Sequence, residues 1–226
     1  MPRHIRLSLL GILTFVALAA PGPQRARATH ARHIVYVSIS DLVPGGANDG
    51  HDRTWTQILT RQLPHGSRVI DLGADSNTAT RVLTQDVPIA LRRHPTLITV
   101  DVVWHDLLAD RTPPATYART IDRLLARLQR TGARVFVANV PDMRKAPASA
   151  YPGGGAQYAH PALEYNKAIA GAAARHGAVV VDMYANTKLL YPHPELYDPT
   201  YGTPTARGNA VIAGIFYRTM HQHGAL

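Results

Sequence analysis

Short apolar runs alternate with longer amphipathic runs along most of this chain, and this alternation restricts the fold more than any other feature. The apolar runs are rich in β-branched residues and have the length of strands; they cover residues 33–39, 68–72, 97–103, 134–139 and 178–182. Helical patterns cover residues 54–63, 78–94, 114–131, 161–176 and 205–221. Strands that alternate with helices pair in parallel and are covered on both faces. The sequence therefore predicts a three-layer α/β fold with a five-stranded parallel sheet.

Three types of residue are expected to begin, interrupt or end the predicted helices. Asn77 is expected to cap the helix over residues 78–94, and Pro88 is expected to kink or split that helix, since proline removes a backbone donor. Gly132 and Gly177 stand where two helices should end, because glycine adopts the left-handed cap conformation without penalty.

The first 28 residues have the order of a secretory signal. Two arginines precede an apolar run over residues 7–20, and a small-x-small motif follows at residues 26–28. The run is about 14 residues long, which is short of the ~20 that a membrane-spanning helix needs. We therefore expect cleavage near Ala28, a single domain over residues 29–226, and a secreted or periplasmic product with no stable membrane span.

The formal charge of +9 raises the question of a nucleic-acid partner. Removal of the signal would take four arginines and no acidic residue with it, which lowers the charge from +9 to +5. The remaining basic residues are dispersed, without the basic stripe or interleaved aromatic residues typical of nucleic-acid binders. We expect no nucleic-acid partner and no cofactor, and the absence of cysteine excludes disulfides and thiol chemistry.

Polar residues follow the first three predicted strands. Asp41 follows the first strand, Asp75 and Ser76 follow the second, and His105 and Asp106 follow the third. Because functional residues of an open parallel sheet gather beyond the carboxyl ends of its strands, we expect these five to form a ligand-binding site. As an alternative, Asp41 and Asp106 could serve only to cap turns by accepting hydrogen bonds from backbone amides.

The segments at these strand ends resemble the sequence blocks of the SGNH or GDSL hydrolases. The matching segments are VYVSISDLVPGG from Val35, IDLGADSNTA from Ile70, ITVDVVWHDLL from Ile98 and TPTARGNAVIA from Thr203. The resemblance covers nearly the whole chain after the predicted signal. It implies a flavodoxin-like three-layer fold and membership of a superfamily of esterases, lipases, acylhydrolases and carbohydrate deacetylases.

The residues that this resemblance places at the catalytic positions differ from those of the superfamily. Leu42 stands at the nucleophilic serine, Ser76 and His105 stand at the oxyanion-binding glycine and asparagine, and Thr200 and Thr203 stand at the aspartate and histidine. Leucine cannot attack an ester, and threonine cannot act as a general base near neutral pH. The main prediction is therefore an exported, non-hydrolytic protein whose pocket binds a glycan or acyl ligand.

Two alternatives retain an enzymatic reaction. Ser40 or Ser76 could act as the nucleophile of a rearranged esterase or carbohydrate deacetylase, with His105 nearby. Asp41, Asp75 and His105 could instead hold a divalent metal ion that activates water.

Aromatic residues suggest where the pocket wall lies. Trp104 is expected to face the pocket or the core at the strand ends, whereas Trp55 is expected in the core. Five tyrosines fall in two irregular loops and could form a platform for a ligand or pack the loops onto the scaffold: Tyr151, Tyr158, Tyr191, Tyr197 and Tyr201. In a third, purely structural alternative, Trp104 would fill the cavity.

Overall fold

Five parallel strands form the predicted sheet. The computed structural model describes residues 33–41, 54–74, 76–148, 151, 154–198 and 202–226. The strands are β1 (Val35–Ser40), β2 (Arg68–Asp71), β3 (Leu97–Asp101), β4 (Arg134–Ala138) and β5 (Val179–Val181). They are arranged in the order β2-β1-β3-β4-β5, and every neighbouring pair is parallel. The α/β fold class predicted from the sequence is thus confirmed.

Helices pack in two groups against this sheet. The helices are α1 (Trp55–Thr60), α2 (Ala79–Arg81), α3 (Val87–Arg92), α4 (Pro114–Gln129), α5 (Ala159–His176) and α6 (Ala206–Gln222). Helix α1 packs against α6, where the rings of Trp55 and Phe216 stack with centroids 4.1 Å apart. Helix α4 packs against α3 and α5, where Tyr117 and Tyr165 stack with centroids 3.8 Å apart. Trp55 lies in the core, as predicted.

The sheet order reverses between β1 and β3. From β1 the chain passes to β2 on one side, and the next strand, β3, then pairs with β1 on its other side. The register places Ser40 of β1 beside Asp101 of β3. Ligands of open α/β sheets bind outside the carboxyl ends of the strands at such a reversal. The topology alone therefore favours a site at these two strand ends.

The helix predicted over residues 78–94 is divided. A π-helical segment, Val82–Asp86, separates α2 from α3, and Pro88 lies in the first turn of α3, where its missing amide hydrogen is tolerated. The prediction that Asn77 caps this helix is wrong, because the Thr78 hydroxyl accepts from the Arg81 amide instead. The Asn77 amide group is used for tertiary bonds to the Ser40 carbonyl and the Asp86 carboxylate.

The predicted glycine positions at helix ends have the expected backbone. Gly177 ends α5 with φ 69°, and Gly132 follows α4 with φ 73°. The predicted signal over residues 1–28 lies outside the described residues. Within the described ranges, every helix is too short or too polar to cross a bilayer.

Candidate functional site

A cavity of about 380 Å³ opens beyond the carboxyl ends of β3, β4 and β5. Its walls are mostly aromatic and aliphatic, with a few polar groups between them. The described lining residues are Asp101, Trp104, Leu108, Ala109, Asn139, Pro141, Tyr151, Tyr158, Met183, Leu190, Tyr197, Gly202, Thr203, Pro204 and Ile212. A concave site of this size, with a small number of polar groups, is typical of a small-molecule pocket.

Packed aromatic rings form one wall of the cavity. Trp104 and Tyr151 stack with centroids 6.2 Å apart, and Tyr151 meets Tyr191 edge-on at 6.2 Å. Tyr191 in turn lies 5.7 Å from Tyr197. Burial raises the pKa of the Tyr151 hydroxyl to about 12. The loop tyrosines therefore pack on one another, and Tyr151, Tyr158 and Tyr197 also line the cavity, while Tyr201 lies outside the described residues.

Trp104 lies in the cavity wall, as expected from its place in the sequence. It leaves an open cavity beside it, so the filled cavity that would favour the purely structural alternative is not what the described residues form.

Asp101 is the charged group of the described cavity lining. It is the last residue of β3, and only 6% of its surface is exposed. Burial raises the pKa of its carboxyl to about 7, because an ionised carboxylate loses hydration there. Within the described residues its side chain makes no hydrogen bond or ion pair.

Asp101 was not singled out from the sequence. The available signal was the acidic residue at the end of the otherwise apolar stretch LITVD, shortly before Trp104. A strongly perturbed carboxyl in a cavity is a frequent mark of a functional site.

Asp41 joins the end of β1 to the turn after β3. Its carboxylate accepts hydrogen bonds from the backbone amides of Trp104 and His105, the latter at 3.0 Å. Its own amide donates to the Asp101 carbonyl at 3.0 Å. Burial, and then the nearby Asp101 carboxyl, raise the pKa of Asp41 well above its usual range, while the backbone donors oppose this shift. Asp41 is thus built into the backbone junction rather than the described cavity lining.

Asp106 ties the turn after β3 to the start of α2. Its buried carboxylate accepts from the Ala79 amide at 2.6 Å, and burial raises the pKa of this carboxyl. Such bonds are the backbone-capping alternative that the sequence offered for Asp41 and Asp106. His105 begins the π-helical segment His105–Ala109, and its ring lies 3.5 Å from the Asp110 carboxylate.

The two candidate serines are not residues of the described cavity lining. Ser40 is buried at the end of β1, where its carbonyl accepts from the Ala74 amide at 3.2 Å. Ser76 is exposed and has φ 63°, a left-handed conformation that favours glycine. This backbone agrees with Ser76 standing where the superfamily has a glycine. Neither serine belongs to the described cavity lining.

Several of the predicted site positions lie outside the described residues. Asp75, Leu42 and Thr200 are among them. Within the described part of the chain, no three histidine or carboxylate side chains group in a way that could hold a metal ion. The metal alternative with Asp41, Asp75 and His105 includes an undescribed residue, so it stays a prediction.

Thr203 connects the cavity with the last of the matching segments. It lines the cavity, and its hydroxyl is buried without a hydrogen-bond partner among the described residues. Its carbonyl accepts from the Asp198 amide at 2.8 Å, and the neighbouring Pro204 bridges to Tyr197. The position that resembles the catalytic histidine thus faces the cavity and carries a hydroxyl.

Comparison with known proteins identifies the family. The model of the GDSL-like lipase/acylhydrolase family matches residues 38–211, so the chain belongs to this family. A search of curated protein sequences gives no significant match.

Solved structures share the fold at low sequence identity. The structure of TesA is 14% identical, with a TM-score of 0.66, and the match covers 82% of this chain and 97% of TesA. A lipase/acylhydrolase from Enterococcus faecalis is 14% identical, with a TM-score of 0.67 and coverage of 84% and 97%. The acetyl xylan esterase AlAXEase is 12% identical, with a TM-score of 0.61 and coverage of 81% and 98%. At these identities the likeness establishes the fold alone.

Proposed function

We propose that this protein is an exported, non-hydrolytic member of the GDSL family that binds a small organic ligand in the strand-end cavity. The ligand has an apolar body, such as an acyl group or the face of a sugar ring. Export is proposed from the signal-like order of the first 28 residues.

The observation that carries this proposal is the position of Thr203. It lines the cavity where the family resemblance calls for the catalytic histidine, so no imidazole stands at that position. A hydroxyl supplies no general base near neutral pH, and Leu42 supplies no oxygen nucleophile. The cavity itself persists, with a volume in the range of small-molecule sites.

The cavity walls support an apolar ligand. Leucine, isoleucine, methionine and proline side chains contribute to the lining beside the aromatic rings. The amide of Asn139 is already engaged, since it donates to Asp182 at 3.0 Å and accepts from the Tyr184 amide at 3.0 Å. Burial of apolar ligand surface is therefore expected to supply most of the affinity.

The test combines hydrolysis and binding on protein purified from residue 29 onward. Hydrolysis of p-nitrophenyl acetate, butyrate and octanoate is expected to stay at the buffer rate. Octanamide, an uncharged acyl compound, and a xylo-oligosaccharide serve as binding probes in isothermal titration calorimetry, and at least one is expected to bind.

A cavity-blocking variant and a matched control make the binding test specific. Ala109→Trp places a large ring in the cavity lining and is expected to abolish binding, whereas Ala174→Trp adds the same ring at an exposed site on α5 and is expected to preserve it. Binding that survives Ala109→Trp would refute the assignment to this cavity. Ester turnover that disappears in Ser40→Ala or Ser76→Ala would support the rearranged hydrolase instead.

A further inference from the structure

Two buried carboxyls lie where β1 and β3 end, and the one on β3 lines the cavity. Asp41 and Asp101 are both almost fully buried, and each is linked to the other through the strand ends. Burial raises the pKa of both carboxyls, and the nearby Asp101 raises that of Asp41 further. Within the described part of the chain, no lysine, arginine or histidine side chain offsets these shifts. One Asp41 carboxylate oxygen is also buried without a hydrogen-bond partner in the described residues. A buried negative charge that lacks a partner is costly.

The cavity wall beside Asp101 is suited to a positive charge. Trp104, Tyr151 and Tyr197 line it, and the described lining includes no lysine, arginine or histidine. Tyr158 also lines the cavity, but the Arg111 guanidinium already lies over its ring, 5.7 Å from the centroid. Aromatic faces attract cations through their quadrupole, most strongly where water is excluded. A carboxylate among aromatic rings is the usual chemistry of a site for an alkylated ammonium group.

We infer that the ligand of this cavity carries an organic ammonium group, which the Asp101 carboxylate neutralises and the aromatic wall surrounds. This inference rests on the proposed binding function and names the chemical class of the ligand.

The same residues favour an organic cation over a metal ion. Calcium takes six to eight oxygen ligands and magnesium requires near-octahedral oxygen coordination. The described lining offers the Asp101 carboxylate and the Thr203 hydroxyl, while the Asn139 side chain is engaged with its neighbours. An alkylated ammonium group needs no such shell, because it is held by one negative charge and by ring faces.

A pair of isosteric probes tests the charge directly. Choline and 3,3-dimethylbutan-1-ol have nearly the same shape, but the second has carbon in place of the charged nitrogen. Calorimetric titration of protein purified from residue 29 onward is expected to show choline binding at least tenfold more tightly. Asp101→Asn is expected to reduce this preference to less than threefold, whereas Glu164→Gln, at an exposed acid on α5, is expected to leave it unchanged.

Trp104→Leu gives an independent readout if Asp101→Asn fails to fold. Loss of the ring is expected to weaken choline binding about threefold or more, with a smaller effect on the neutral alcohol. Equal affinity for both probes would overturn the inference. So would choline binding that magnesium or calcium displaces, or binding of octanamide or a xylo-oligosaccharide without binding of choline. In these cases the proposed binding function would stand, whereas ester turnover would overturn that function itself.

Discussion

Replacing Asp101 with asparagine should change how the stability of the protein depends on pH. Burial raises the pKa of Asp101 to about 7 in the folded protein, compared with about 3.9 for an exposed aspartate. A raised carboxyl pKa means that the folded state binds the proton more tightly than the unfolded state. Its stabilising contribution is therefore fully present below about pH 3.9 and is lost as the pH rises through about 7.

The size of this effect follows from the pKa difference. Between pH 5.5 and pH 8, a carboxyl with a folded pKa of about 7 loses about 2 kcal/mol of its contribution to the free energy of unfolding. Asparagine has no proton to lose over this interval. The wild-type protein should therefore lose about 2 kcal/mol relative to Asp101→Asn between these two pH values.

Urea unfolding of both proteins at pH 5.5, 6.5, 7.2 and 8 measures this difference. Glu164→Gln is the matched control, because the Lys167 ammonium lowers the pKa of Glu164 and its contribution is lost only in more acidic solution. A difference between wild type and Asp101→Asn that stays constant within about 0.5 kcal/mol across the range would refute the argument that burial raises the pKa of Asp101.

Two further substitutions test the framework around the site by urea unfolding. Asp106→Ala should destabilise the protein by about 2–3 kcal/mol, because the buried Ala79 amide loses its charged acceptor; a loss below about 0.5 kcal/mol would contradict that role. Gly208→Ala should cost more than about 2 kcal/mol, because the added Cβ would overlap the Leu196 carbonyl oxygen. Gly214→Ala on the same helix should instead stabilise by up to about 1 kcal/mol, since it meets only the end of an arginine side chain, and similar effects at both glycines would refute the packing argument.

The strands and long helices were predictable because their signals are local. β-branched runs and amphipathic repeats identify all five strands of the described sheet. The end of β3 was harder to predict from the sequence. Val102 and Val103 continue the apolar run and are buried, although the strand ends at Asp101. The Trp104 amide donates a hydrogen bond to the Asp41 carboxylate, and this contact directs the chain away from the sheet. The two residues are far apart in sequence, so no local pattern predicts the contact.

The N-terminal cap of α2 was also not predictable from the local sequence. Asn77 and Thr78 are both suitable capping residues, so the local sequence does not choose between them. The choice depends on tertiary bonds, because the Asn77 amide reaches the Ser40 carbonyl and the Asp86 carboxylate. Thr78 is then left to cap the helix.

The place of the cavity agrees only in part with the expectation from the sequence, because it opens beyond β3, β4 and β5, whereas the expected residues follow β1, β2 and β3. Strand order places a site at the end of β3, and Trp104 lies in its wall as expected. Asp101 was missed because its importance depends on burial beside Asp41, which has no local sequence signal. His105 was expected at the ligand, yet in the structure its ring lies beside Asp110.

The most direct test of the central claim is reaction with a fluorophosphonate, which forms a covalent bond with activated serines. Protein purified from residue 29 onward would be incubated with the reagent beside an active GDSL esterase, and the intact mass of each would be measured. Because Leu42 and Thr203 stand where the nucleophile and its base are expected, the mass of this protein should remain unchanged. A stoichiometric adduct on Ser40, Ser76 or another serine would contradict the account.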